Sequence, residues 1–481
     1  MRTIVLVRGG ALAACLGAAA VDAQVPTGFP TAPPTLGKLA TLTLPPIIRR
    51  TLPNGLTLIV VRKTELPVAD FVLIVKSGAE SDPADRLGVA TLTAALLTEG
   101  TAMRSALDIA DQQAYLGVGL TANAGWDASY VRLHAPTAQL DSALALFADV
   151  VLKPGFAEVD FDRLKKQRLT QLVQIKDRGP AIADRVFPAV IYGNDHPYGR
   201  PATGSEASVA AMTRADVVKF YQARYKPNNA TMIVVGDVDP DLIAMHLIRA
   251  LGSWKKGTVP PVPFPPVAAG ATTTIHLVDK PGAAQSSFRI GGVATTRRTA
   301  DFAAIDVMNT MLGGSFTSRL NDNLREKKGY TYGASSRFDL RQEAGPWIAR
   351  SEVVTAKSDS ALLEFMKELK RIAEPVPAAE LDKTRQYLVK QMPENFESTR
   401  GIAGELVPVA LYGLPLDYYT RYGTRVQAVT AADVQRAAKK YIDPAHLQIV
   451  IVGDREKIEP GIVAAKVAPV VRRDLDAKVV P

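Results

Sequence analysis

Thr213-Arg-Ala-Asp216 opens a helical pattern that leads through Tyr225 and Pro227 to a β-branched run over residues 231–235, closed by Gly236-Asp237. Thr430-Ala-Ala-Asp433 opens a second pattern, through Tyr441 and Pro444 to an apolar run over 447–452 and Gly453-Asp454. The matching Thr, Pro and Gly-Asp positions stay 217 residues apart. Chance spacing would not hold so steadily, so the second half of the chain reads as a diverged copy of the first. Each Thr suits a helix N-cap, with an acid three residues on in the place of the usual Glu or Gln. Strand and helix patterns mix within each copy, which predicts α+β units, each a sheet covered by helices on one face.

In the first copy, Asn54-Gly55 signals a tight turn before a strand, and a second strand covers 68–75. Helical spacing follows at 87–98 and 105–115, a strand pair at 119–123 and 128–133, a long helix at 157–177, and another opening near Ala181. The second copy has strands at 273–278, 287–290, 330–338 and 347–354, and helices at 302–312, 358–373 and 378–392. Proline-rich stretches separate these parts. The boundaries expected are a signal segment 1–23, a tether 24–47, a first domain 48–255, a linker 256–271, a second domain 272–456 and a tail 457–481.

A length of 481 residues exceeds what one core usually serves, and 47% apolar with 22% charged residues is a globular profile. The net charge of +9 is dispersed, with no Lys/Arg block of the kind that grips phosphate, which argues against nucleic-acid binding. Arg2 and Arg8, the small and apolar run 11–21 and Val21-Asp22-Ala23 read as an export signal, so the bacterial periplasm is the expected location. Leu12-Ala13-Ala14-Cys15 also fits a lipoprotein cleavage box, which would make Cys15 a lipid anchor. No stretch reaches membrane-spanning length. Cys15 is the only cysteine, so cleavage after Ala23 leaves no thiol for disulfide, metal or nucleophile.

Several fragments, in order, carry a family resemblance. They are Leu52-Pro-Asn-Gly55, Ser77-Gly-Ala-Glu-Ser81, Gly88-Val-Ala-Thr-Leu-Thr-Ala-Ala-Leu-Leu-Thr-Glu-Gly-Thr101, His196-Pro-Tyr-Gly-Arg-Pro201, Leu312-Gly-Gly-Ser-Phe-Thr-Ser-Arg-Leu320 and Leu324-Arg-Glu-Lys-Lys-Gly-Tyr-Thr-Tyr332. Together they resemble the M16 (pitrilysin-like) metallopeptidases, subfamily B, from about Arg49 to Asp454. The resemblance implies two homologous M16-type α/β domains in one chain, facing a second two-domain chain across a chamber where unfolded peptides are cut. Zinc would sit on the first domain of one chain, and the other chain's second domain would supply an Arg and a Tyr that hold substrate.

The family writes His-x-x-Glu-His where this chain has Thr91, Ala94 and Ala95, and its third ligand, a Glu, falls in the slot of Gln171. A hydroxyl, two methyl groups and a neutral amide are not a zinc donor set. No two of His134, His196, His246, His276 and His446 lie within two helical turns in sequence, so no substitute site is legible. The expectation is no metal and no catalytic residue on this chain, with zinc on a homologous partner subunit. Arg325 and Tyr332 match the substrate-holding pair. Arg offers a planar fork to a carbonyl or carboxylate, and a tyrosine hydroxyl can donate to an oxyanion. Tyr330 competes for the second role. The expected function is the non-catalytic subunit of a heterodimeric M16B zinc peptidase. The alternative is an M16-fold scaffold with no part in proteolysis.

Overall fold

A computed structural model of the chain describes residues 43–267 and 272–481. The signal segment with Cys15, the tether up to residue 42 and residues 268–271 of the linker lie outside the described residues. The rest of the linker, 256–267, forms neither helix nor strand.

The first half builds a six-stranded sheet from β1 (Ile47–Thr51), β2 (Thr57–Arg62), β3 (Val68–Val75), β4 (Gly119–Ala124), β5 (Ser129–Pro136) and β6 (Ala230–Gly236), in the order β1-β2-β6-β3-β5-β4. The second half builds another from β7 (Thr274–Asp279), β8 (Gln285–Thr295), β9 (Thr331–Phe338), β10 (Gly345–Val354), β11 (Gln448–Gly453) and β12 (Val470–Arg473), in the order β12-β7-β11-β8-β10-β9. Five strands correspond in position, and the only parallel pair of the first sheet, β2 with β6, is repeated as β7 with β11. Both expected capping boxes form. Thr213 caps the helix Arg214–Arg224 with Asp216, and Thr430 caps Ala431–Tyr441 with Asp433.

Two features differ from the sequence expectation. The presumed tail contains the helix Arg455–Ala464 and β12, which pairs parallel to β7 and completes the second sheet. A run as short as Val470-Val471 carries too little period to be read as a strand. The sheets are also covered on both faces rather than one, because β3, β6 and β11 are apolar at consecutive positions. In the first sheet Leu58, Val60, Phe71, Leu73, Met232 and Val234 face helices of their own half. Their neighbours Ile59, Val61, Val72, Ile74, Ile233 and Val235 belong instead to the core of the second half's helix Thr399–Tyr412, with its Ile402, Leu406 and Val409. Reciprocally, the first half's helix Gly179–Tyr192 packs Ile182, Val186 and Phe187 against Val278, Val450 and Val452.

The halves thus exchange one helix each. Burying each large apolar side chain contributes about 1.5–3 kcal/mol, so this exchange resists separation of the halves strongly. Polar ties reinforce it. Arg289 of β8, buried, pairs with Asp184 of the first half's exchanged helix at 2.6 Å, and Thr399 donates to Asp70 of β3 at 2.6 Å.

Candidate functional site

The helix Val89–Leu96 carries the three altered slots. Gly88 enters it at φ 93°, where an added Cβ would lie 2.8 Å from the Thr203 carbonyl oxygen, so glycine is required there. The Asp82 carboxylate closes the helix start, accepting from the amides of Gly88 at 2.6 Å and Ala90 at 2.9 Å. Ala94 is fully buried, whereas Thr91 and Ala95 are half-buried. The Thr91 hydroxyl is already engaged. Its proton lies between the carbonyls of Gly88 at 3.0 Å and Ala202 at 3.2 Å, and its oxygen accepts from Arg168 Nη1 at 2.9 Å.

Arg168 belongs to the helix Glu158–Ile175, which packs on Val89–Leu96. The same nitrogen donates to the Thr203 carbonyl at 3.2 Å. Gln171, three residues on, is exposed. The side chain that reaches the altered motif is therefore Arg168 and not Gln171. Burial lowers the Arg168 pKa, opposed by the charge of Asp82, but a guanidinium starts so high that it stays charged.

These residues do not suit zinc. The slots offer one occupied hydroxyl and two methyl groups, and a fixed guanidinium would repel a divalent cation. Among the described residues no group of three or more His, Cys, Asp or Glu is placed to hold a metal. The histidines have other work. His134 faces Asp70 at 3.0 Å, His246 faces Asp141 at 2.8 Å and His446 faces Asp443 at 2.7 Å. His276 bonds to Gln448 at 2.8 Å, and burial holds its pKa down at about 4. His196 accepts from the Tyr198 amide at 3.0 Å and stacks on Tyr192.

Restoring the motif tests which residue fills the third slot. Thr91→His with Ala94→Glu and Ala95→His is expected to take up no stoichiometric zinc while Arg168 remains. Adding Arg168→Glu, but not Gln171→Glu, is expected to give about one zinc per chain by elemental analysis. Equal uptake by the two fourfold variants would contradict the assignment.

The loop before this helix holds a second buried acid beside Asp82, Glu80. Burial first, and then the charge of Asp127, push the Glu80 carboxyl up to about 7, against the pull of the Ser81 hydroxyl and the Gly78 amide. Unfolded Glu80 titrates near 4.5, so between there and about 7 the folded chain keeps a proton that the unfolded chain has lost. The contribution of this group is full below that window and is lost as pH rises through it. Glu80→Gln should reduce the loss of stability between about pH 5 and about pH 8, read from urea midpoints. An unchanged difference would contradict this origin.

In the second half, the helix Phe302–Asn309 widens into a π-turn at Thr310–Gly314, and a second π-turn, Asp322–Lys327, carries Arg325. Such turns collect at functional sites. Gly313 packs so closely on β9 that a Cβ would lie 2.4 Å from the Ser336 nitrogen. After Arg325, Gly329 turns the chain at φ 63°, and Tyr330 N donates to the Leu324 carbonyl at 2.9 Å.

Arg325 is half-exposed. Its guanidinium lies 4.5 Å from the ring centroid of Phe316, itself 63% exposed, and its Nε is 3.3 Å from Glu326. Tyr332 stands on the edge strand β9 and is 90% exposed, whereas Tyr330 is half-buried against the core. A bulge explains the difference. Ser351 pairs with Ala334 and Val353 with Thr331, so Tyr332 and Gly333 together oppose the single residue Glu352. The bulge turns Tyr332 out of the regular alternation, the usual use of such an irregularity beside a site.

Asn321 ties the parts together. Its amide donates to the Phe316 carbonyl at 2.7 Å, and its oxygen accepts from Ala334 N on β9 at 3.2 Å. Phe316 and Asn321 were not singled out in the sequence. The aromatic directly after Gly313-Gly314-Ser315 was the available signal.

The Asp127 carboxylate, buried, joins the halves. It accepts from the hydroxyls of Tyr198 at 2.5 Å and Tyr412 at 3.0 Å and from the Gln342 amide at 2.8 Å. Burial, and then the Asp127 charge, push both tyrosines upward, so they remain protonated donors. Arg341 lies over the rings of Trp126 and Tyr198.

Comparison with known proteins agrees with this architecture. The family model described as "Insulinase (Peptidase family M16)" matches residues 58–200, and "Peptidase M16 inactive domain" matches residues 211–388. An uncharacterized zinc protease of Mycobacterium leprae is 30% identical over 306 residues, 62% of this chain and 67% of that protein. The "Non-peptidase homolog YmxG" of Helicobacter pylori is 21% identical over 397 residues, 82% of this chain and 90% of that one. Among solved structures, a peptidase M16 inactive domain from Pseudomonas fluorescens is 27% identical with a TM-score of 0.80, covering 85% of this chain and 98% of that one. With two M16 models matching successive stretches of the chain and one sheet repeated in its two halves, the chain belongs to peptidase family M16.

Proposed function

We propose that this chain is the non-catalytic subunit of a heterodimeric M16B zinc peptidase, exported to the bacterial periplasm. A homologous subunit with an intact His-x-x-Glu-His would hold zinc and supply the activated water. This chain closes the chamber. Its Arg325 fork binds a carbonyl or carboxylate of an unfolded peptide, and the Tyr332 hydroxyl donates to the oxyanion that forms at the scissile carbonyl. The observation that carries the reading is the contrast between the two halves. A guanidinium and two methyl groups stand where donors are needed, while the half-exposed Arg325 and the bulge-mounted, exposed Tyr332 are present.

Reconstitution tests it. The isolated chain should not cleave an unfolded peptide, and a mixture with the zinc-bearing partner should do so faster than the partner alone. Cleavage by the isolated chain, or a mixture indifferent to Arg325→Ala, would refute the proposal.

A scaffold without proteolytic work is the second reading, favoured by the likeness to the non-peptidase homolog of Helicobacter pylori. It predicts stable assembly with other proteins and dispensable Arg325 and Tyr332.

A further inference from the structure

We infer that Arg168 forms a carboxylate-binding site at the altered metal motif, taking the C-terminal carboxylate or an acidic side chain of a bound peptide. The inference deepens the reading that this chain holds peptide, and adds a second anchor on the half opposite Arg325.

The argument starts from an unmatched charge. Arg168 places Nη1 on Thr91 and on the Thr203 carbonyl, both neutral acceptors. Its Nε and Nη2 donors have no partner among the described residues, and neither does its charge. The acid nearest in effect, Asp82, has both oxygens taken by the amides of Gly88 and Ala90.

Arg168 is half-buried, and the fully buried arginines among the described residues are compensated. Arg289 has Asp184 and Glu352, Arg319 has both oxygens of Glu380 at 2.7 Å, and Arg341 has Asp339 at 2.6 Å. Arg297 lies against the rings of Phe302 and Tyr418. Holding a guanidinium partly desolvated without an anion costs stability. An orientation that leaves one edge of the fork unused, with the other edge pinned, is preorganised for two parallel hydrogen bonds to a carboxylate.

The surroundings favour a peptide as the source. One helical turn beyond Arg168, Leu172 and Ile175 begin the wall of a cleft of about 740 Å³. Leu87 and Ser205 line it beside the motif, and the turn 474–478 lines its far side. Among its lining charges Lys176 pairs with Glu206 at 2.6 Å and Arg185 with Asp476 at 2.8 Å, whereas Arg200 and Lys478 have no carboxylate partner among the described residues. Apolar wall residues beside cations that have no carboxylate partner suit an apolar side chain adjacent to a carboxylate.

Fluorescence anisotropy with the isolated full chain tests this. Three labelled unstructured peptides of one sequence are compared: a free C-terminus, a C-terminal amide, and an amide with an internal Asp beside Leu. Wild type should bind at least one carboxylate-bearing peptide about tenfold more tightly than the plain amide. Whichever peptide shows the gain identifies the source. Arg168→Gln should abolish the gain and leave the plain amide unchanged. Arg168→Lys, which keeps charge but loses the fork, should retain part of it, with thermal melts of both variants near wild type. If wild-type affinity is lost in Arg325→Ala but untouched by Arg168→Gln, the inference is overturned and the peptide-holding reading stands. Absence of binding by wild type would overturn both.

Discussion

In the proposed heterodimeric peptidase, Tyr332→Phe is expected to lower kcat by about 10²–10³-fold with KM little changed, the signature of a donor used only in the transition state. The ring and its contacts survive the substitution, so a folding defect does not explain a loss. Tyr330→Phe is the internal control. Tyr330 packs on the core, and its variant should stay within about twofold of wild type. On the proposed reading Arg325→Ala should act differently, raising KM as well, because its fork would also contact the ground-state peptide. Phe316→Ala should give a milder form of the Arg325 defect, since the ring supports the guanidinium by about 0.5–2 kcal/mol. Steady-state kinetics of the mixed subunits decides. Wild-type kcat in Tyr332→Phe would remove the tyrosine from the mechanism.

The second large effect concerns stability. Asp127→Ala is expected to cost about 3–5 kcal/mol, read as a lowered urea midpoint. Removing this carboxylate strands two tyrosine hydroxyls and a backbone amide in a buried junction. Tyr412→Phe removes only one donor and should cost about 1–2 kcal/mol. The junction is also where the exchanged helices meet the opposite halves, so its loss should show as a second unfolding transition as well as an earlier one. A shift below about 1 kcal/mol for Asp127→Ala would mean that the apolar helix exchange alone holds the halves together.

Much of the fold was legible because local chemistry repeats. The capping boxes at Thr213 and Thr430 and the strands that follow them keep a constant offset, and the structure returns them as equivalent elements of two equivalent sheets. The helix exchange was not legible. Periodicity shows that 399–412 has an apolar face but not which sheet receives it.

The third metal slot shows the same limit at one residue's scale. Phe161, Leu164, Leu172 and Ile175 mark the inward face of the long helix, and both Arg168 and Gln171 fall at helical spacing from them, although Arg168 is half-buried and Gln171 exposed. Helical spacing alone does not choose between them, and the bond of Arg168 to Thr91 is seen only once the two helices are packed. For Tyr332 the pair spacing in sequence was informative, but its exposure depends on a bulge that needs the register of β10 to be seen.

Zinc content of the purified chain, after dialysis against micromolar zinc, tests the account most directly. The donor set at Thr91, Ala94, Ala95 and Arg168 predicts a content far below one ion per chain and no peptide hydrolysis by the isolated protein. A tightly held equivalent of zinc accompanied by cleavage would contradict it.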